Sequence, residues 1–338
     1  MSHNILKIPL LGLLLVLHHL VYSQADAKYM QNPDTTIYVL DHTDLLTLRF
    51  YPLAKFNSLE IKGPSERISM QPNGKGSVGI GFNYKSIGFG FSVGLPATDE
   101  SNVKYGQTRR FDLQMSYYGE KLAVDGYFQE YEGYYLANPT SITNWKNPNY
   151  PQSADLRVAS LGGTIHYIFN SEKYSYKAAY LRNQIQKKSA GSFIAGLFAF
   201  LDEVSSDFDL LPDSLVESVR QTVDIKAFNS ASFGVTGGYM YTFVIKRNFF
   251  INVGLAPGIG YRKSFVETRD GSEKFGNALG ILVQTRIALG YEFRTFFLGA
   301  AYSSILRNFN HENAEVSLGT GQIRFILGKR FDVSKKRP

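Results

Sequence analysis

The chain contains no cysteine, which excludes structural disulfides, Cys-ligated zinc or iron–sulfur centres, thiol catalysis and the lipid-bearing cysteine of a lipoprotein. Beyond its first residues it also lacks any long apolar run: nothing after Ser23 approaches the ~20 consecutive apolar residues a spanning helix needs. Charge is sparse, at 19% Asp, Glu, Lys and Arg, and the formal net charge of +7 is spread along the chain, with one cluster at Lys335-Lys336-Arg337. Without a basic groove or a recognition motif, nucleic acid is a poor partner for such a surface. Acidic lipid headgroups suit it better.

Tyr, Phe and Gly are plentiful, at 22, 25 and 31 residues, while the mean hydropathy is −0.16. Strands that alternate lipid-facing and lumen-facing residues average out to such a near-neutral value. The start, Met1 to Ser23, places Lys7 before the apolar run Ile8 to Leu17 and ends in Val21-Tyr22-Ser23. That is the layout of a cleaved secretory signal peptide, so the mature chain is expected to begin near Gln24.

Period-two alternation recurs almost to the end. Val78, Ile80, Phe82 and Tyr84 alternate with Gly79, Gly81 and Asn83; Phe233, Val235, Tyr239, Tyr241 and Phe243 alternate with Ser232, Thr236 and Thr242. Successive strand side chains point to opposite faces, so one face is large and apolar and the other small or polar. A soluble sandwich alternates too, but here the connections also differ by side. Lys85-Ser86, Gly119-Glu120, Arg247-Asn248 and Arg294-Thr295 read as tight turns, whereas 96–108, 137–155, 263–276 and 306–315 read as long polar loops. Short periplasmic turns and long external loops are the asymmetry of an outer-membrane barrel.

The expected fold is therefore all-β: a transmembrane, up-and-down, antiparallel β-barrel of about twelve strands, with ten or fourteen also compatible. The strands fall near 44–62, 76–84, 86–95, 109–118, 121–136, 156–169, 192–204, 231–246, 249–262, 277–293, 296–305 and 317–331. The domain plan is a signal peptide at 1–23, a periplasmic segment at 24–43, the barrel at 44–331 and a basic periplasmic tail at 332–338. Residues 171–189 read as a longer periplasmic connection, and 205–230 as an external loop carrying a short amphipathic helix from Leu211-Pro212 onward. Tyr117, Tyr134, Tyr135, Tyr261, Tyr291 and Phe331 suit interfacial girdles.

Catalytic chemistry finds little support. After Ser23 the histidines are His42, His166 and His311. Ser160 shares a strand face with His166, but six residues along a strand is about 20 Å at about 3.3 Å per residue, too far for a dyad. No GxSxG, HExxH, P-loop or calcium-loop pattern occurs, so no catalytic residue, metal site or cofactor is assigned. The lumen-lining candidates are Asp112, Asp125, His166, Arg286, Glu292 and Arg324. The charged ones either pair into a network that fills the interior or line a solute path. Arg286 and Arg324 are expected to reach the same small volume and to need a counter-charge, which Asp112, Asp125 or Glu292 could supply.

The stretch Lys104-Tyr105-Gly106-Gln107-Thr108, then Phe111-Asp112-Leu113-Gln114, then Val124-Asp125-Gly126-Tyr127-Phe128-Gln129 through Gly133-Tyr134-Tyr135-Leu136, resembles a Bacteroidota family known only as domain of unknown function 4421. Lys187 to Ser192 and Asp207 to Pro212 fit it too, and the likeness runs over about 36–331. The resemblance implies an outer-membrane barrel and carries no catalytic residues with it. Three classes of function follow: a non-enzymatic barrel for passage of small solutes or as a membrane component, a scaffold binding partners through loops or periplasmic segments, and a lipid-modifying enzyme. The first leads. Expected partners are outer-membrane lipid and lipopolysaccharide, with the barrel assembly machinery during biogenesis; no specific protein partner is indicated.

Overall fold

The computed structural model describes residues 37–63, 66–74, 76–84, 87–207, 210–212, 215, 225–246, 248–268, 271–311 and 314–333. The expected leader, the last residues of the basic tail, the Lys85-Ser86 turn and most of the helix expected after Leu211 lie outside them.

In chain order the elements are β1 (Val39–Asp41), β2 (Leu46–Lys62), β3 (Arg67–Pro72), β4 (Gly76–Tyr84), β5 (Ile87–Gly94), α1 (Asp99–Tyr105), β6 (Arg109–Tyr118), β7 (Leu122–Leu136), α2 (Pro139–Ile142) and β8 (Gln152–Ile168). There follow α3 (Tyr176–Tyr180), β9 (Gln184–Gln186), β10 (Ala190–Ser205), β11 (Ala227–Ile245), β12 (Phe249–Glu267), β13 (Glu273–Phe293), β14 (Phe296–His311) and β15 (Ala314–Phe331). None of the described helices is long and apolar enough to cross a membrane.

β2 pairs with β15, so the first and last long strands close the wall into an antiparallel barrel. Closure leaves most backbone N–H and C=O groups paired within the wall, which is what permits strands to face lipid. The outward side chains are large and apolar: Phe91, Phe193 and Leu279 are about 70% exposed (69%, 69% and 72%). Their neighbours in sequence point inward and are small or polar, as Ser232, Thr236 and Thr242 do on β11. The terminal end, where β2 begins and β15 finishes, carries the short β6–β7 and β13–β14 turns and the 169–189 segment; the other, the loop end, carries the 95–108 and 137–151 connections beside the short β2–β3 and β12–β13 links.

β3 and β4 are two halves of one descending strand, since both lie on the same edge of β2, through Lys62–Arg67 to Leu59–Met70 and then Ala54–Gly76 to Thr47–Asn83. The halves part at Pro72, which has no N–H to give to a ladder. Asn73 fixes the step: its N–H donates to Thr108 Oγ1 (2.8 Å) and its Nδ2 to the Gly106 carbonyl (2.8 Å). β3 therefore leans across to β7, through Met70–Leu136 and Pro72–Tyr134. The closed ring is ten strands, β2, β3, β7, β8 and β10 to β15. Toward the terminal end β4 and β5 hang from β2 and β6 hangs from β7, and among the described residues no ladder joins β5 to β6. The twelve expected strands correspond to β2, β4 to β8 and β10 to β15; the alternation does not reveal β3 or the three-residue β1 and β9.

Three expectations need correction. The presumed loops 263–276 and 306–315 are mostly strand, with Phe265 opposite Phe275 and Arg307 opposite Leu318. The ladders run past the apolar band, so outward residues such as Glu267 and its partner Glu273 turn polar and imitate a loop. Tyr134 is buried, not in a girdle. Gly133, at φ +89°, forms a bulge between Glu132 and Tyr134, and one extra residue swaps the faces of everything after it. Finally, 171–189 is not a free connection outside the wall. It folds back into the barrel.

Candidate functional site: the barrel interior

The inserted segment occupies the terminal end of the lumen. Ser175 caps α3 by accepting from Ala178 N–H (3.0 Å), and β9 returns along β1, with Val39 opposite Gln186. Tyr174, Tyr176 and Tyr180 are buried. The Tyr180 hydroxyl donates to Asn252 Oδ1 (2.6 Å), and Asn252 Nδ2 donates to the Tyr174 hydroxyl (3.0 Å), which pins the segment to β12.

The chain reverses at Arg182, in the left-handed region at φ +65°, a conformation that costs a non-glycine residue energy and persists where surroundings enforce it. Its guanidinium lies 4.5 Å from the Phe250 ring centre and 5.0 Å from that of Phe297. It bonds Glu292 at 2.7 Å, and Arg330 holds the other oxygen of the same carboxylate at 2.9 Å. Arg330 also donates to the Arg182 carbonyl (2.6 Å), while Asn83 Nδ2 donates to the Leu181 carbonyl (2.9 Å). Two cations, one carboxylate and two backbone carbonyls thus lock the turn to the wall.

Above this lies a second layer. Arg286 pairs with Asp125, whose Oδ1 also accepts from the Tyr118 hydroxyl (2.7 Å) and Ser116 Oγ (2.7 Å). Tyr176 and Tyr180 of the insert cover the Arg286 guanidinium, with ring centres 5.7 and 5.3 Å away. Asp112 is held by Lys55 Nζ (2.9 Å), Gln129 Nε2 (2.8 Å) and the Tyr131 hydroxyl (2.6 Å). In a third layer Arg307 meets Asp202 at 2.7 Å, Ser160 Oγ donates to the same carboxylate at 2.7 Å, and the guanidinium stacks 4.3 Å from the Phe200 ring centre. Buried apolar side chains close the loop end: Leu59, Ile61, Met70, Tyr134, Leu156 and Phe228, with Leu210, Leu211, Leu215 and Ile225 from the connection after β10.

Of the candidate residues, Asp125 and Arg286 are brought together, Asp112 and Glu292 each find other cations, and Arg324 stands apart. It stacks 5.9 Å from the Tyr51 ring centre and makes no ion pair with a described carboxylate. The ladders place Arg324 two strands and one rung from Arg286: Arg286 lies opposite Ser303 and Ser303 opposite Gln322, one rung from Arg324. The expected neutralisation of both arginines is therefore corrected: Asp125 pairs with Arg286, and no described carboxylate pairs with Arg324. His166 is buried opposite Gly196, and neither ring nitrogen has a hydrogen-bond partner among the described residues. Ser160 is engaged by Asp202 and Arg307, so these two residues form no nucleophile–base pair.

Lys55, Arg182, Asp202, Arg307 and Arg330 are interior residues that the sequence reading passed over. Arg182 and Arg307 lie in stretches that read as connections. A signal for the insert does exist: Tyr174, Tyr176, Ala178, Ala179 and Tyr180 are too apolar for a segment left in water.

A family model described as Domain of unknown function (DUF4421) matches residues 32–331. The chain belongs to this family. The DUF4421 barrel is also similar to solved outer-membrane barrels. The outer membrane protease OmpT from Escherichia coli has 8% identity over 86% of this chain and 98% of that one, with a TM-score of 0.35. The translocator domain of autotransporter NalP from Neisseria meningitidis has 8% identity, 84% and 88% coverage and a TM-score of 0.28. The Pseudomonas putida toluene transporter TodX has 8% identity, 84% and 89% coverage and a TM-score of 0.24. A comparison with curated proteins gave no match. At these similarities no residue or activity transfers.

Proposed function

We propose that this DUF4421 barrel is a non-enzymatic component of the outer membrane whose lumen is occluded in the resting state, with its terminal end in the periplasm and its loop end outside. The observation that carries the reading is the filled interior: Asp112, Asp125, Asp202 and Glu292 are each bound to a cation, and an inserted segment stands across the same space. Buried charges satisfied in pairs hold a closed arrangement, because separating a pair gives up its charge-assisted hydrogen bonds. The exposed apolar wall supplies the lipid-facing band, and the short β6–β7 and β13–β14 turns, set against the 95–108 and 137–151 connections at the opposite end, support a periplasmic terminal end. The test is swelling of liposomes that contain the folded protein. No swelling is expected with small sugars; rapid, size-dependent swelling means an open channel.

One observation favours a second reading, lateral passage of small apolar solutes between lumen and bilayer. The facing edges of β5 and β6 share no ladder among the described residues, although lipid cannot satisfy free backbone groups. Arg110 of β6 reaches across to the Gly76 carbonyl (3.4 Å) and Ser77 Oγ (3.1 Å) of β4 and spans the seam at its upper end. Because the chain has no cysteine, an engineered disulfide between β5 and β6 tests this reading cleanly: uptake that survives the staple excludes it.

A further inference from the structure

The outward face of β7, β8, β10, β11, β12 and β13 carries a groove of about 530 Å³. Three rungs define it. The lowest runs Phe128, Leu161, Leu201, Ala231, Lys263; the next runs Glu130, Ala159, Glu203, Asn229, Phe265, Phe275; the one nearest the loop end runs Glu132, Arg157, Ser205. Ala159 and Ala231 make the depression, since their larger neighbours rise on both sides. Its apolar walls, Phe128, Leu161 and Leu201 on the lowest rung and Phe275 on the next, are 41 to 71% exposed on the lipid side. Arg157 bridges Glu130 (3.0 Å) and Glu203 (2.7 Å) at the upper rim.

Lys263 is out of place by this pattern. It is an exposed cation on the same rung as Phe128, Leu161 and Leu201, and it makes no ion pair with a described carboxylate. A lysine on a lipid-facing rung is destabilising unless it reaches the interface or meets an anion. Directly above the groove, across the Glu132–Arg157 rung, a second cavity of about 620 Å³ lies between α1 and the β7–β8 wall, lined by Asp99, Asn102, Gln107, Arg109, Glu132 and Gln152 among others. Carboxylates and amides at this density suit a ligand rich in hydroxyl donors.

We propose that the two cavities form one binding site for an acylated, phosphorylated saccharide of the outer leaflet. An acyl chain lies on Ala159 and Ala231 between the apolar walls, a phosphate meets Lys263, and sugar hydroxyls donate to Glu130, Glu132 and Glu203 and fill the polar cavity. A phospholipid offers the chains and the phosphate but no saccharide for the upper cavity. The assignment rests on the loop end facing outward in the proposed function.

The test is binding of purified lipid A to the folded barrel in detergent, followed by native mass spectrometry and thermal unfolding, with phosphatidylethanolamine as competitor. Lipid A is expected to bind and raise the unfolding temperature, Lys263→Glu and Ala231→Phe each to weaken binding at least tenfold, and phosphatidylethanolamine not to displace it. Both side chains point out of the wall, and heat-dependent gel mobility shows whether each variant folds; Lys263→Gln replaces either one that does not. Equal binding by wild type and folded variants, or equal affinity for phosphatidylethanolamine, overturns the proposal. Binding in detergent is indifferent to which end faces out, so a failed orientation is seen separately, in whole-cell labelling of the loops.

Discussion

Arg286 and Arg324 are both arginines on strands β13 and β15, yet only Arg286 meets a carboxylate, and this difference sets what each contributes. Removing one member of a buried pair strands the other at a cost of about 3–5 kcal/mol. Arg286→Ala, or Asp125→Asn, is therefore expected to lower the thermal midpoint of the detergent-folded barrel strongly. Arg324→Ala gives up only a stacking contact with Tyr51, about 0.5–2 kcal/mol. Equal losses contradict the assignment. His42, in the turn before β2 and outside the spanning strands, is a second residue-scale probe. Burial first, and then the Arg330 charge, lower its pKa to about 4. Between that value and an ordinary 6.5 the unfolded chain binds a proton the folded one does not, so stability falls as pH drops through this window and levels off below it. Protease sensitivity of the 171–189 insert is expected to rise between pH 7 and pH 4.5 in wild type and to change less in His42→Gln. An identical rise in both sinks the idea.

At the scale of elements, the strands legible in the sequence are those whose two faces differ in size and polarity without interruption. β11 and β13 are the clearest, because Phe233, Val235, Ile281 and Leu289 alternate with small or polar partners. What alternation cannot report is a change of phase or of partner. The Gly133 bulge turns Tyr134 inward, and Pro72 splits a strand so that its upper half serves a different neighbour. The insert escapes for a related reason: a connection is recognised by what it joins, and its only local mark is the apolar run Tyr174, Tyr176, Ala178, Ala179 and Tyr180, which has no period to place it between the strands. The ion pairs are legible only in part, since Asp125 and Arg286 lie 161 residues apart and meet through closure of the wall. Gly133→Ala tests the bulge directly. A Cβ there would stand 2.1 Å from the Gln107 carbonyl oxygen at a φ of +89°, so the variant is expected to lose roughly 1–3 kcal/mol. Unchanged thermal unfolding means that the bulge is not constrained as described.

At the scale of the whole molecule, closure, occlusion and orientation separate into independent questions. Orientation is read by cysteine labelling, which the cysteine-free chain permits without background. A cysteine at Asn147, beyond α2, is expected to react with an impermeant reagent on intact cells, and one at Arg294, in the β13–β14 turn, to be protected; the reverse inverts the barrel. Occlusion depends on the insert and the charge layers together, because Tyr176 and Tyr180 cover the very guanidinium that Asp125 neutralises. The central claim is that these groups shut the lumen, and planar-bilayer conductance measures it most directly. Wild type is expected to show almost no steady current, while Tyr176→Ala with Tyr180→Ala, or replacement of 172–181 by a short Gly-Ser linker, opens measurable channels. Large, steady, anion-selective conductance in the wild-type protein would contradict the account.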